Sequence, residues 1–170
     1  MVKKVAPKKA SPKNILLTYY SLGEVPKVME RLYELLSKKG FLVKKKQIEL
    51  IKKLEVKKQF KLEQTLKVKS PLKSLKGIDL VVIGTPIVSF SSIPAVNAFI
   101  RALPKVENKK FVLFATGIGL PGRTMKKMKS LLSMKGGVVV DSQIFTSIFE
   151  FDAKKLKEAD AFFERFIEKI

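Results

Sequence analysis

Residues Ile78 to Pro86 read IDLVVIGTP and are the most informative segment for the fold class. Its uninterrupted run of aliphatic and β-branched residues is typical of a parallel strand that helices cover on both faces. The residues from Gly84 to Pro86 are expected to end the strand, and Pro94 opens an amphipathic helix soon afterwards. Ligands of open α/β sheets bind just beyond the carboxyl ends of the strands. We therefore expect the loop from Gly84 to Pro94 to contribute to a binding site.

The same order of an apolar run, a loop of small residues and a helix occurs at two other places. Residues 111–115 read FVLFA and lead into TGIGLPG at residues 116–122, while ILLTYYSLG occupies residues 15–23. Because the carboxyl ends of parallel strands lie at one edge of a sheet, the three loops should meet there. The sequence therefore predicts a rim formed by three loops.

The periodicity of the chain predicts an α/β fold in which parallel strands alternate with helices. Strands are expected at residues 14–19, from residue 41, and at residues 78–84, 110–115 and 138–145. Helices are expected from Val25 until Gly40 ends the first one, from Pro94 to about Leu103, from Gly122 to Lys135, and after the capping residue Asp152. The side of the last helix that should face the core consists of Leu156, Ala159, Phe163, Phe166, Ile167 and Ile170.

Residues 44–70 form a lysine-rich, partly extended and irregular segment in this prediction. From Phe60 to Val68, apolar residues and Gln64 alternate with mostly polar neighbours, which predicts a half-buried strand in place of a helix. The spacing of Ile48, Ile51 and Leu54 would also suit a short helix. No glycine or proline lies between residues 41 and 70 to mark a turn, so both interpretations stay open.

The composition limits the chemistry that the side chains can perform. A chain of 170 residues with 46% hydrophobic content can bury one substantial core, so we expect a single domain. The absence of cysteine and histidine excludes disulfides, thiolate metal sites, a catalytic thiol and the commonest acid–base group. No pair of nucleophile and base stands out, which disfavours a hydrolytic enzyme. Chemistry must come from a cofactor, carboxylates or lysines, and we assign no catalytic residue and no metal ligand.

The hydrophobic residues form neither a candidate membrane-spanning segment nor a signal peptide. No apolar run approaches the roughly 18 residues of a membrane span. The first ten residues also lack the apolar stretch of a signal peptide. We therefore expect a cytoplasmic protein that does not bind a membrane.

The formal net charge of +20 is high and unevenly distributed. Residues 1–13 carry five lysines and no acid, and we expect a flexible basic tail there. Residues 38–76 carry fourteen lysines against three glutamates. One interpretation is a set of lysine-coated solvent-exposed faces, and the other is a patch that binds an acidic protein or nucleic acid. Nucleic acid is less favoured, because lysine contacts phosphates without reading bases.

Three segments carry a resemblance to the flavodoxin family: ILLTYYSLG at residues 15–23, DLVVIGTP at residues 79–86 and FATGIGLPG at residues 114–122. Their order and spacing extend the resemblance over most of residues 14–170. It implies a flavodoxin-like domain with a three-layer α/β/α sandwich and a five-stranded parallel sheet of order 2-1-3-4-5. It also implies that the three rim loops hold FMN.

The resemblance implies a separate role for each loop. The first would hold the FMN phosphate with backbone N–H groups at a helix N-terminus. The second would wall the flavin ring, with Phe90 as the stacking aromatic, and the small residues of the third would let the backbone approach the ring. The implied cofactor-binding residues are Tyr20, Ser21, Leu22, Gly23, Glu24, Val25, Thr85, Pro86, Ile87, Val88, Phe90, Thr116, Gly117, Ile118, Gly119 and Gly122.

The first loop departs from the family pattern. Leu22 and Val25 stand where the family usually has hydroxyl residues, and Glu24 brings a negative charge to the expected phosphate site. Pro26 removes an N–H donor from the same helix end. Repulsion and lost donors should both weaken the binding of a phosphate. The alternative interpretation of this loop is a tight turn between strand and helix.

The function that the resemblance implies is that of an FMN-binding protein in electron transfer, or of a small flavin-dependent reductase. The lysine-rich faces would then dock an acidic redox partner protein through weak, salt-sensitive contacts. The alternative is a flavodoxin fold that has lost flavin and acts as a basic interaction module for an acidic protein or nucleic acid. The oligomeric state stays open.

Overall fold

The computed structural model describes residues 13–147 and 152–170. Its strands are β1 (Asn14–Tyr19), β2 (Leu42–Gln47), β3 (Leu80–Val88), β4 (Ser91–Ser92), β5 (Lys110–Ile118) and β6 (Val138–Ser147). Its helices are α1 (Val25–Lys38), α2 (Val56–Lys61), α3 (Pro94–Ala102), α4 (Thr124–Ser133) and α5 (Ala153–Ile167), with a 3-10 helix at Glu63–Thr65. Residues 1–12 of the predicted basic tail lie outside the described residues.

Five strands form a parallel sheet in the order β2-β1-β3-β5-β6, and the two-residue β4 pairs with the end of β3 in antiparallel orientation. In the centre of the sheet, Leu17 of β1 lies beside Val82 of β3, which lies beside Val112 of β5. Helices α1 and α5 pack on one face, and α3 and α4 pack on the other. The predicted sandwich and its strand order are confirmed, with β4 added to the five predicted strands.

On the face covered by α1 and α5, the helices bury the apolar residues that recur at helical spacing in the sequence. Helix α1 buries Val25, Val28, Met29, Leu32 and Leu36. Helix α5 begins after Asp152, whose carboxylate accepts a hydrogen bond from the backbone N–H of Lys155, as its capping position predicts. It buries Ala159, Phe162, Phe163 and Phe166, so Phe162 joins the residues predicted to point inward.

The opposite face is centred on α3, whose residues from Pro94 to Ile100 are all buried. Pro94 occupies the first turn of the helix, where its missing N–H leaves no intrahelical hydrogen bond unmade. The helix is nine residues long. None of the helices in the described ranges is both long enough and apolar enough to cross a membrane.

Three strands extend beyond their predicted ends, and one of them is β6, which continues from Phe145 to Ser147. Strand β3 continues through Gly84, Thr85 and Pro86 to Val88, and β5 continues to Ile118. The pairing of Pro86 with Thr116 extends the ladder between β3 and β5, whereas β1 pairs with β3 only as far as Gly84. At Pro86 the pairing with β1 has already ended, and proline is tolerated where one side of a strand is unpaired. The prediction that a loop begins at Gly84 was wrong.

The segment from residue 48 to residue 70 is the largest difference from the predicted fold. It contains α2 and the 3-10 helix, and its extended pairing is limited to an isolated antiparallel bridge between Leu50 and Val68. The predicted strand over residues 60–68 was therefore wrong. The short helix begins at Val56, so the helix considered for residues 48–54 was also misplaced.

Buried polar contacts explain why this segment is not a strand. The side-chain amide of Gln59, on α2, donates to the Tyr20 hydroxyl at 3.0 Å and to the Leu54 carbonyl at 3.1 Å, and it accepts from the Ala95 N–H at 3.3 Å. The Glu63 carboxylate accepts from Asn97 of α3 at 2.9 Å. Both side chains thus hold the segment against α3. Their partners Ala95 and Asn97 are distant in sequence, so a local pattern does not reveal these contacts.

Candidate functional site

A cleft of about 370 Å³ opens at the carboxyl edge of the sheet. Four parts of the chain line it: the loop between β1 and α1, the end of β3, the end of β5, and the last residue of β6. The lining residues are Leu22, Gly23, Glu24, Pro86, Ile87, Val88, Thr116, Gly117, Ile118 and Ser147. The three predicted rim segments therefore meet, and nine of the sixteen predicted site residues line one cleft.

The walls of the cleft are mostly apolar. Pro86, Ile87 and Val88 contribute from β3, and Ile118 contributes from β5 with 68% of its surface exposed. Gly117 lies between these walls, and a Cβ atom there would approach the Cβ atom of Ile87 to 2.8 Å. A side chain at position 117 would displace Ile87, so the glycine preserves the shape of this wall.

The Ser147 hydroxyl is a polar group at the cleft that sequence reasoning missed. It is buried and has no hydrogen-bond partner among residues 13–147 and 152–170. Ser147 pairs with Ile118 at the end of the sheet, and its carbonyl accepts from the Gly119 N–H at 2.9 Å. Buried hydroxyl groups are normally paired, and this unpaired one belongs to a residue that lines the cleft. Its position follows from the extension of β6 two residues beyond the predicted end at Phe145.

The opposite end of the cleft is formed by the loop that precedes α1. Gly23 has a φ of +58°, and Glu24 occupies the N-cap position of α1 without a side-chain capping hydrogen bond. The Glu24 carboxylate instead lies 3.8 Å from the ammonium group of Lys27. Pro26 follows in the first turn and provides no N–H. This end of the cleft combines a helix N-terminus with a carboxylate.

Tyr20 and Ser21 belong to a different pocket. They line a space of about 540 Å³ between the ends of β1 and β2, together with residues from Gln47 to Ile51. The Tyr20 hydroxyl accepts the hydrogen bond from Gln59, so its ring is part of the packing against the 48–70 segment. The structure does not bring these two predicted site residues into the cleft.

Phe90 and Gly122 also lie elsewhere, in an open groove of about 990 Å³ beside α4. Phe90 is 60% exposed and has a φ of +60° in the two-residue turn between β3 and β4. Its carbonyl accepts from the Arg123 N–H at 2.8 Å. A Cβ atom at Gly122 would clash with that carbonyl oxygen, so glycine permits the contact. The predicted stacking ring is therefore not among the residues that line the cleft.

The remaining predicted site residues support the rim without lining the cleft. Val25 is buried in the α1 packing. The buried Thr85 hydroxyl donates to the Pro86 carbonyl at 3.0 Å and accepts from the Ile93 N–H at 3.3 Å. Gly119 follows β5 and contacts Ser147 through the backbone. These positions fix the ends of the strands that form the walls.

The fold recurs in solved structures. The flavoprotein in complex with FMN from Lactobacillus acidophilus NCFM has a TM-score of 0.63 at 15% identity, with 88% of this chain and 98% of that chain covered. Oxidised flavodoxin 2 from Bacillus cereus has a TM-score of 0.65 at 14% identity, with 92% and 99% covered. The azoreductase from Bacillus anthracis str. Sterne has a TM-score of 0.62 at 14% identity, with 90% and 96% covered.

This chain has the flavodoxin fold. At these identities the similarity establishes the architecture. No protein-family model matches the sequence, and no curated protein matches it. Within the flavodoxin fold, the cleft occupies the carboxyl edge of the sheet, where open α/β folds bind ligands. The arguments about function therefore depend on the residues of this chain that line it.

Proposed function

We propose that this protein binds a flavin in the cleft and takes part in electron transfer, as a carrier or as a small flavin-dependent reductase. The observation that carries the proposal is the meeting of the three rim segments around one cleft that also contains the unpartnered Ser147 hydroxyl. The similar structures support it, since they include a flavoprotein solved with FMN, a flavodoxin and an azoreductase.

The cleft suits the ring of a flavin. Its apolar walls from Pro86 to Val88 and at Ile118 would contact the faces of a flat ring, and burial of such surfaces is favourable. The Ser147 hydroxyl would form a hydrogen bond with a polar atom on the ring edge. Apolar contact and one placed polar group are typical of cofactor sites.

The bound flavin would supply redox chemistry that a chain without cysteine or histidine lacks. The role of the protein is then to orient the ring and to exclude water from part of it. Leu22 and Ile118, both exposed at the cleft, would cover the ring at its open side. FMN is the flavin that we propose first, because a similar protein was solved with it.

The lysines of the 48–70 segment and of β2 support docking of an acidic redox partner. Of the lysines between residues 44 and 76, only Lys45 and Lys69 form ion pairs within the described part of the chain, with Glu30 at 2.6 Å and Glu49 at 3.5 Å. The other lysines of this stretch carry uncompensated charge at the surface. Such a surface speeds association with a partner of opposite charge at low salt. None of the compared structures supports the alternative of a flavin-free interaction module.

The test is whether the purified full-length protein binds FMN. Saturating FMN should change the visible absorption spectrum of the flavin and raise the melting temperature of the protein. The Ile118→Glu variant should weaken binding by about tenfold or more, which corresponds to about 1.4 kcal/mol, because a carboxylate would be desolvated beside the ring. The matched control is Ile51→Glu, since Ile51 is 67% exposed and lies outside the cleft.

Two results would contradict the proposal. One is the absence of any spectral or thermal change with both FMN and riboflavin. The other is equal binding by the two glutamate variants, which would place the flavin outside the cleft. Steeply salt-dependent binding of RNA or of an acidic protein without any flavin would favour the interaction module instead.

A further inference from the structure

The end of the cleft at Gly23 and Glu24 is poorly suited to a phosphate. A phosphate monoester carries roughly −1.5 to −2 charges at pH 7 and needs several hydrogen-bond donors. Helix N-termini provide such donors and a favourable dipole. Here Glu24, at the N-cap of α1, places a carboxylate among the cleft-lining residues. A dianion at this position would be repelled at short range.

The donors that remain at this end are few. Pro26 removes an N–H from the first turn of α1. The ammonium group of Lys27 is the nearby cation, and it already lies 3.8 Å from the Glu24 carboxylate. The charge of Lys27 is therefore partly compensated before any ligand binds.

The hydroxyl groups of the same region are directed to other contacts. The buried Thr18 hydroxyl donates to the Val82 carbonyl at 2.9 Å. The Tyr20 hydroxyl accepts from Gln59, and Ser21 lines the separate pocket between β1 and β2. No side-chain hydroxyl of residues 18–24 lines the cleft. The loop therefore lacks side-chain hydroxyl donors that would offset the carboxylate.

The ring end of the cleft does not depend on these residues. The apolar wall of β3 and the Ser147 hydroxyl of β6 come from other strands. We infer that the cleft recognises a flavin through its ring and not through its phosphate, so that it binds riboflavin about as tightly as FMN. Glu24 is the residue that removes the preference for the phosphate. This inference rests on the proposed flavin binding.

The deciding measurement is a pair of dissociation constants, for FMN and for riboflavin, obtained by quenching of flavin fluorescence with flavin-free, full-length protein. At about 0.15 M salt the Debye length is about 8 Å, so distant lysines contribute little attraction for FMN. The two constants should agree within about threefold, less than 1 kcal/mol. Binding of FMN about thirtyfold tighter or more would overturn the inference while leaving the proposed function intact. If neither flavin binds, the proposed function and this inference are both wrong.

A variant identifies the cause. Glu24→Gln removes the negative charge and should tighten FMN binding by about three- to tenfold while leaving riboflavin binding unchanged. The matched control is Glu34→Gln, an exposed position further along α1 that should change neither constant. An unchanged ratio of the two constants in Glu24→Gln would contradict the role of this carboxylate. Circular dichroism and the melting temperature verify that each variant folds.

A second variant tests recognition through the ring. Ser147→Ala should weaken the binding of riboflavin and of FMN by the same factor, about three- to tenfold, because both flavins carry the same ring. A loss restricted to FMN would place the phosphate at Ser147 and would overturn the inference. A Ser147→Ala variant that binds both flavins as tightly as the parent would likewise remove the proposed ring contact.

Discussion

Polar contacts have different structural roles on the two faces of the sheet. On the face of α1 and α5, cations meet carboxylates near the surface: Asp141 of β6 accepts from Arg165 and Lys169, each at 2.8 Å. On the face of α3 and α4, polar contacts attach an irregular segment: Gln59 is hydrogen-bonded to Tyr20 and to Ala95, and the Glu63 carboxylate lies 2.7 Å from the Lys127 ammonium group. The lysines of that segment remain largely unpaired within the described residues.

The two faces differ in how far their conformation depends on contacts between distant parts of the chain. Helices α1 and α5 carry continuous apolar stripes that specify their buried sides, and the ion pairs add to that packing. The 48–70 segment has no such stripe, so its conformation depends on hydrogen bonds to Tyr20 and Ala95 from distant parts of the chain. Substitutions on the α1 and α5 face should therefore destabilise the fold by leaving cavities in the apolar packing. Substitutions in the 48–70 segment should destabilise it by leaving buried polar groups without hydrogen-bond partners.

The largest expected effect lies in the aromatic cluster under α5. The Phe162 ring is 5.9 Å from that of Phe145 and 5.5 Å from that of Phe166, between ring centroids. Phe162→Ala should lower the free energy of unfolding by about 3–5 kcal/mol, because it leaves a cavity in a packed core. Urea denaturation measures this loss. Phe90→Ala, at the exposed ring on the other face, should cost less than about 1 kcal/mol, and similar losses in both variants would contradict the comparison.

On the other face, Gln59→Ala should cost about 2 kcal/mol, because the partly buried Leu54 carbonyl and the buried Ala95 N–H lose their side-chain partner. Hydrogen exchange at Ala95 and through α2 should accelerate more than exchange in α5. Gln64→Ala, at an exposed position of the same segment, is the matched control and should have little effect. Equal exchange rates in the two variants would show that Gln59 does not hold the segment.

The ion pairs of the α1 and α5 face predict a pH dependence. Burial of Asp141 opposes its ionisation, but hydrogen bonds from Arg165, Lys169 and the Ser142 N–H outweigh burial and lower its pKa from 3.8 to about 2. A depressed pKa in the folded state stabilises the fold above the unfolded value near 3.8. That contribution is lost as the pH falls toward 2.

The corresponding variant is Asp141→Asn, which should cost about 2 kcal/mol at neutral pH and progressively less between pH 4 and pH 2. Denaturation of the parent and the variant across this range measures the difference. A constant difference between them down to pH 2 would show that ionisation of Asp141 does not stabilise the fold.

The smallest expected change in stability is the difference between replacing a lysine that forms an ion pair and replacing one that does not. Lys39 lies 3.0 Å from Glu164 across α1 and α5, so Lys39→Gln should cost about 0.2–1 kcal/mol. Lys57 on α2 has no ion pair within the described ranges, and Lys57→Gln should be neutral or slightly stabilising in a chain of such high positive charge. Thermal unfolding at low salt compares the two. A larger loss at Lys57 would reverse the comparison.

The parts of the fold that could be predicted depend on local patterns. The apolar runs around Val82 and Val112 specify central parallel strands, and the spacing from Val25 to Leu36 specifies the buried side of α1. The strand at residues 60–68 could not be rejected from sequence, because the alternation of residues there is typical of a half-buried strand. Hydrogen bonds of Gln59 to Tyr20 and Ala95, which are distant in sequence, hold the segment in another conformation.

The same distinction applies to the candidate site. The three rim segments could be located from sequence, because each follows an apolar run and the carboxyl ends of parallel strands share one edge. The placement of Phe90 beside α4, and the exclusion of Tyr20 and Ser21 from the cleft, depend on where β3 ends and what the 48–70 segment contacts. Those contacts join residues far apart in the chain.

The amino-acid sequence was enough to predict the alternation of strands and helices and to locate the rim, because periodicity and apolar runs act over a few residues. The layers and the strand order followed from the resemblance to the flavodoxin family. Which side chains face the cleft depends on tertiary contacts. Pairing with β5 carries β3 past Gly84, and pairing of Ile118 with Ser147 brings the hydroxyl of β6 to the cleft that also holds Glu24. The register of neighbouring strands sets these positions, and register is a property of the assembled sheet.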